Sequence, residues 1–217
     1  MQIQAVLFDM DGLMIDTERL SDKVWCEIGA RYGLHITPAD TALLRGRNRA
    51  GGRAAFQKRF GPDVPYDVMC DAVVGRLTAM LARNVPVMPG LLELLEQVRS
   101  RNLPMAVVSS THRSLVESNL RVAGIRDYFT ALVCGDMVSR SKPAPDIYLT
   151  AAQTLHTQPA ACLVLEDSYN GVRAGAAAGC ATVMVPNVDP ATPEMENLCW
   201  HIVPDLAKVI PLLDQPI

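Results

Sequence analysis

Ala5-Val6-Leu7-Phe8-Asp9-Met10-Asp11-Gly12 joins an unbroken apolar run to two carboxylates one position apart. A continuous apolar run bounded by Gly reads as a strand buried on both faces, as in a parallel sheet. Open α/β sheets bind ligands at the carboxyl ends of their strands, where Asp9 and Asp11 fall. In extended backbone, residues i and i+2 face the same side, so both carboxylates can address one ligand. Like charges that close repel unless a cation or a shared proton relieves them. A divalent metal is the first inference, and Asp9 as an attacking carboxylate the second. A plain strand ending in an acidic turn, with Gly12 at positive φ, is written the same way.

Beyond Gly12 the pattern turns helical. Leu20, Val24, Trp25, Ile28 and Tyr32 fall on one stripe, with Asp16 or Thr17 as N-cap and Gly33 as stop. Thr37-Pro38-Ala39-Asp40 has the form of a capping motif. A third helix is expected after Asn48, ending near Phe60-Gly61. A fourth is expected from about Asp67, packing Val68, Met69, Ala72, Val73, Leu77, Met80 and Leu81. No strand signal interrupts residues 17–84. From Pro89-Gly90 onward, apolar strands at 105–109, 132–134, 162–165 and 182–185 alternate with helices at 91–101, 113–123, 146–155 and 170–178. A weak strand at 201–203 and a helix at 206–213 close the chain. Such alternation argues for a doubly wound, Rossmann-like parallel sheet. The expected organisation is a core of residues 1–15 and 85–217 with an inserted α-helical unit at 16–84. Gly171, Gly175 and Gly179 recur every four residues and read as a close helix–sheet contact plus a C-cap.

Three more polar sites follow predicted strands. Ser109-Ser110-Thr111 places hydroxyls and free N–H groups at a strand-to-helix turn, which suits an anion or simply caps the helix. Ser141-Lys142-Pro143-Ala144-Pro145-Asp146 fixes one Lys in a Pro-rich turn, facing either a phosphate or solvent. Glu166-Asp167 ends a third apolar strand and offers further oxygen ligands for a hard cation.

Together these sites resemble the haloacid dehalogenase-like hydrolase superfamily, in particular its β-phosphoglucomutase-like branch. The resemblance runs over nearly the whole chain: DxDG at Asp9–Gly12, Ser109, Lys142 within SKPAPD, and Glu166-Asp167 within EDSxxG. It implies that Asp9 forms an aspartyl-phosphate and that Asp11 serves as general acid and then base. It implies that Ser109 and Lys142 hold the transferred phosphoryl group, with Ser110 and Thr111 beside it. Mg²⁺ would be bound by Asp9, Asp11 through its backbone carbonyl, and Asp167, with Glu166 assisting directly or through water, and residues 16–84 would form the cap domain. Phosphoryl transfer needs in-line positioning and charge stabilisation, which a metal and a Lys around an anionic nucleophile supply.

Within that branch the mutases carry a His where this chain has Ser21, whereas Arg49 matches a cap Arg that contacts a distal phosphate. Arg45, Arg47, Arg49 and Arg53 read as a substrate-facing cluster or as a solvated basic loop. The expected activity is a phosphatase acting on a small phosphorylated metabolite, a sugar phosphate first, with a phosphosugar mutase as the alternative. A phospho-accepting signalling domain is the distant one, since its acceptor Asp lies on a later strand and no helical unit follows its first strand.

Composition sets the outer bounds. The 217 residues are 49% hydrophobic and 20% charged, ordinary for a soluble globular chain. No apolar run reaches the ~18 residues of a membrane span, and the N-terminal residues lack a signal-type pattern. Six Cys without a CxxC pair suggest reduced thiols, and a cytoplasmic location is expected. Residues 16–84 hold 11 Lys and Arg against 8 Asp and Glu, inside a chain of net charge −3. A cationic middle against an acidic remainder suits a small anionic substrate, or reflects chance. Neither nucleic acid nor membrane is expected as a partner, and nothing in the sequence calls for more than a monomer.

Overall fold

A computed structural model describes residues 1–217. Six strands form one parallel sheet: β1 (Ala5–Phe8), β2 (Met105–Ser109), β3 (Ala131–Cys134), β4 (Cys162–Glu166), β5 (Ala181–Met184) and β6 (His201–Ile202). Their spatial order is β3-β2-β1-β4-β5-β6. β1 pairs with β2 through Val6↔Met105 and with β4 through Val6↔Leu163. The winding direction reverses at β1 and β4, which makes their carboxyl ends the switch point of the sheet.

β1 is fully buried on both faces, as its apolar run requires. Val6 and Phe8 point into one apolar layer and Ala5 and Leu7 into the other. The first layer is closed by α5 (Leu91–Ser100), α6 (Arg113–Val122) and a 3-10 segment at Leu206–Leu212. The second is closed by α7 (Asp146–Thr154) and α8 (Tyr169–Ala177). Gly175 lets α8 press against the sheet, since a Cβ there would lie 2.6 Å from Thr182 Oγ1. Gly179 ends the following turn at φ +78°.

Between β1 and α5 lie α1 (Glu18–Arg31), α2 (Pro38–Thr41), α3 (Arg49–Phe60) and α4 (Tyr66–Leu81). They enclose their own apolar cluster, in which Trp25, Phe56 and Tyr66 pack ring to ring with centroids 5.0–5.6 Å apart. Its two connections run side by side: Ile15 bridges Val87, and Asp16 N–H donates to the Pro86 carbonyl at 2.9 Å.

The expected elements are present, with local differences. Tyr32, Val68 and Met80 are exposed rather than packed, because these helices are covered on a narrower stripe than the apolar letters suggest. The last segment is 3-10 rather than α because Pro211 lies inside it, removing an N–H donor. A short helix, α9 (Pro193–Leu198), adds to the expected elements; it is capped by Thr192 and carries Pro at its first position. No helix is long and apolar enough to cross a membrane.

Candidate active site

Asp9 leaves the end of β1 into a tight turn built from Met10 to Ile15. Gly12 stands at its apex with φ +88°, and a Cβ there would lie 2.1 Å from Asp167 Oδ2. Only Gly meets both demands. Met10, Leu13, Met14 and Ile15 are buried beneath the turn, and Asn187 Nδ2 donates to the Gly12 carbonyl at 3.0 Å.

Around this turn four strand ends converge. Lys142 follows β3, is fully buried, and donates from Nζ to Asp9 Oδ1 (2.6 Å), Glu166 Oε1 (2.6 Å) and the Val108 carbonyl (3.0 Å). Asp9 Oδ2 receives no donor. Asp11 lies beside it, its carboxylate taking hydroxyls from Thr17 (2.9 Å), Thr111 (2.9 Å) and Ser109 (3.3 Å). Asp167 follows β4, is buried, and receives no hydrogen bond at its carboxylate. Oxygens of Asp9, Glu166 and Asp167 approach within 4.8 Å of one another.

The electrostatics follow from burial. Loss of water pushes Asp9 well above the usual carboxylate range; Lys142 opposes that push, while Glu166 and Asp11 add to it. Asp167 is raised likewise by burial, then by Asp9, Glu166 and Glu18. Burial also raises Asp11, against its three hydroxyl donors. Burial lowers Lys142, but Asp9 and Glu166 outweigh it and hold the ammonium charged. Asp9 Oδ2 and the Asp167 carboxylate keep uncommitted oxygen lone pairs in this buried cluster, the donor type a hard divalent cation takes, so these residues fit Mg²⁺.

A cavity of about 200 Å³ opens over the cluster. Its floor holds Asp9, Asp11, Asp167 and Ser109–Thr111, and its roof holds Trp25, Leu44, Arg45, Gly46, Arg47, Val74 and Leu77 from the helical unit. The structure therefore brings Asp9, Asp11, Ser109, Ser110, Thr111, Lys142, Glu166 and Asp167 together. Their hydroxyls do not all face an anion. Ser109 and Thr111 turn to Asp11, and Ser110 Oγ donates to the Gly46 carbonyl at 2.8 Å.

The arginines divide differently from the expected substrate-facing cluster. Arg49 is outside the cavity, half exposed and held by Asp67 (2.8 Å) and Asp71 (2.6 Å), and Arg53 also pairs with Asp67. Asn48 caps α3, so Arg49 is its first residue and projects toward the start of α4. Arg45 lines the cavity but is buried among Glu18 (3.1 Å), Asp22 (2.7 Å) and Asp189 (2.6 Å). Arg47 lines the cavity without an acidic partner; its Nε donates to the Leu43 carbonyl. Of the four arginines in this loop and helix start, only Arg47 is thus left without an acidic partner.

Sequence reasoning missed Thr17, Glu18, Asp189 and Tyr148 as parts of the site. Thr17 is the residue before α1, yet its hydroxyl serves Asp11 rather than the helix. Glu18 is pushed up to about 8 by burial and by Asp11 and Asp22, against Arg45.

Comparison with known families matches residues 3–179 to haloacid dehalogenase-like hydrolase. Hexitol phosphatase B of Escherichia coli (strain K12) is 32% identical over 200 residues, covering 90% of this chain and 87% of that protein. Fructose-1-phosphate phosphatase YqaB of the same organism is 33% identical over 181 residues, 83% of this chain and 95% of that one. Among solved structures, a mutant CbbY from Rhodobacter sphaeroides in complex with xylulose-(1,5)bisphosphate superposes with TM-score 0.83 at 26% identity. That match covers 99% of this chain and 100% of the CbbY chain.

Proposed function

We propose, for a chain that belongs to the haloacid dehalogenase-like hydrolases and is a phosphoric monoester hydrolase, an Mg²⁺-dependent phosphatase of small sugar or polyol phosphates. The observation that carries this reading is the convergence of Asp9, Asp11, Ser109 and Asp167 from three strand ends on one cavity, with Lys142 from a fourth held on Asp9 behind them. The names of the relatives, a hexitol phosphatase and a fructose-1-phosphate phosphatase, support the substrate class.

Asp9, Asp167 and the Asp11 main-chain carbonyl would hold the ion at the edge of the acidic cluster. When bound, Mg²⁺ supplies Lewis-acid stabilisation of phosphoryl charge and lets an anion approach the carboxylates. Asp9 Oδ2, free of donors, attacks phosphorus as the bond to the substrate oxygen breaks. Lys142, anchored at Asp9 Oδ1, balances charge on the transferred group. Asp11 carries a proton, as its burial favours, and gives it to the leaving oxygen. It then takes a proton from water as that water attacks the aspartyl-phosphate, releasing phosphate and restoring Asp9. Thr17, Ser109 and Thr111 hold the Asp11 carboxyl in place between the two steps. Commitment of Arg49 to Asp67 and Asp71 supports a phosphatase over a mutase, which must rebind a bisphosphate.

Steady-state assays with an aryl phosphate and a panel of hexitol and ketose phosphates, with and without Mg²⁺, test the reading. Asp9→Asn is expected to reduce phosphate release by at least about 10³-fold, as loss of a covalent nucleophile does. Undiminished turnover in that variant would remove Asp9 from the role.

A further inference from the structure

We propose that Tyr148 and Glu166 form a positioning chain for Lys142, in which Glu166 serves the lysine rather than the cation. The proposal rests on the phosphatase reading above and assigns residues within it.

Glu166 ends β4 with no exposed surface. Its Oε1 accepts from Lys142 Nζ (2.6 Å) and from the Tyr148 hydroxyl (2.6 Å). Its Oε2 accepts from Asp167 N–H (3.1 Å), Ser168 N–H (3.2 Å) and Ser168 Oγ (3.0 Å). A carboxylate offers about four lone-pair sites, and these five donors occupy both oxygens. A metal ligand needs an open lone pair aimed at the ion. Asp167 and Asp9 Oδ2 have one, and Glu166 does not. The first turn of α8 fixes this seat, since a Cβ on Gly171 would lie 1.8 Å from the Glu166 carboxyl.

Lys142 is saturated in the same way. Its ammonium has three protons, and Asp9, Glu166 and the Val108 carbonyl take one each. Tyr148 comes from α7, does not line the cavity, and is fully buried. Its hydroxyl holds Glu166, and its ring centroid lies 5.0 Å from Lys142 Nζ. The residue therefore constrains the lysine twice, through the carboxylate and through the ring face. A Glu166 free to turn toward the ion would draw the ammonium off Asp9, the atom that must meet the phosphoryl group.

Tyr148→Phe keeps the ring and removes only the hydroxyl. Two measurements decide: kcat and KM for an aryl phosphate with Mg²⁺, and Mn²⁺ affinity by electron paramagnetic resonance without substrate. Tyr148→Phe should lower kcat about 10-fold with KM and the Mn²⁺ Kd each within about 3-fold, the pattern of a group that orients another. Glu166→Gln should leave Mn²⁺ affinity within about 10-fold, while Asp167→Asn should weaken it by about 100-fold or more. Unchanged kcat in Tyr148→Phe, or a loss of Mn²⁺ in Glu166→Gln as large as in Asp167→Asn, overturns the proposal. If Glu166→Gln does not fold, Tyr148→Phe decides alone. A wild-type protein that hydrolyses no phosphate ester sinks the phosphatase reading instead, and the Mn²⁺ comparison still judges Glu166.

Discussion

Glu18 shares the Arg45 guanidinium with Asp22 and Asp189, three carboxylates against one cation. Its contact is the longest of the three, and burial together with Asp11 and Asp22 leaves it holding a proton up to about pH 8. A carboxyl raised above its unfolded value stabilises the fold while protonated. The contribution is complete below roughly pH 4.3 and is lost as pH rises through about 8. In metal-stripped protein, urea midpoints should therefore fall between about pH 6 and about pH 9, and Glu18→Gln should flatten part of that fall. Equal slopes in the two proteins would contradict a protonated Glu18. Nothing in the sequence flags this residue, because an acid in the first turn of a helix is an ordinary complement to the helix dipole. Asp9, Asp11, Lys142 and Asp167 are legible because each follows an apolar strand, where α/β sheets place ligands. Arg47 and Arg49 are not separable by letters alone. Which of them faces the cavity depends on where Asn48 starts α3.

At the level of elements, the strands are readable because burial on both faces leaves no polar position to blur their limits, as in Val6 to Phe8 and Met105 to Val108. Helices half covered by neighbours are less so, and Val68 and Met80 look like core in the sequence yet face solvent. Capping chemistry is legible and checkable. Asp40, three residues after Thr37, accepts its amide (3.0 Å) and hydroxyl (2.7 Å), and its other oxygen takes Arg59 Nε from α3 at 2.6 Å. The helix it closes has four residues and no stability of its own, so the carboxylate ties α2 to α3. Asp40→Ala should cost about 1–3 kcal/mol by urea unfolding, a lost cap plus a charged hydrogen bond. Arg59→Ala should cost less, because Thr37 still satisfies Asp40. The reverse ranking would place the energy in the ion pair rather than in the cap.

Across the whole molecule, one short loop of the helical unit clasps the strand-end side of the core through polar contacts. Arg45 reaches Asp189 beyond β5 at 2.6 Å, the Arg45 carbonyl accepts from Asn170 Nδ2 at 2.8 Å, and the Gly46 carbonyl accepts from Ser110 Oγ at 2.8 Å. Gly46 has φ +70°, and a Cβ there would crowd Ser168 and Asn170. The chain enters and leaves the unit through the paired segments at Ile15 and Val87, and Leu81 at the end of α4 packs into the apolar layer of the core. We propose that the two adjoining connections act as a hinge and that the polar clasp sets how firmly the helical unit covers the carboxylates as a lid. Asp189 does not line the cavity, so replacing it changes the clasp without touching the reacting groups. A charged hydrogen bond contributes about 1.5–3 kcal/mol, and with Asp22 and Glu18 still on Arg45 the loss should fall at the lower end. About 1.4 kcal/mol shifts a closed–open equilibrium tenfold. Asp189→Asn should accordingly raise KM for a sugar phosphate by up to about 10-fold. Its small-angle scattering should report a larger radius of gyration than the wild type. If KM and radius both stay at their wild-type values, the lid is held by the buried loop itself, and Arg45 serves only to neutralise the acids around it.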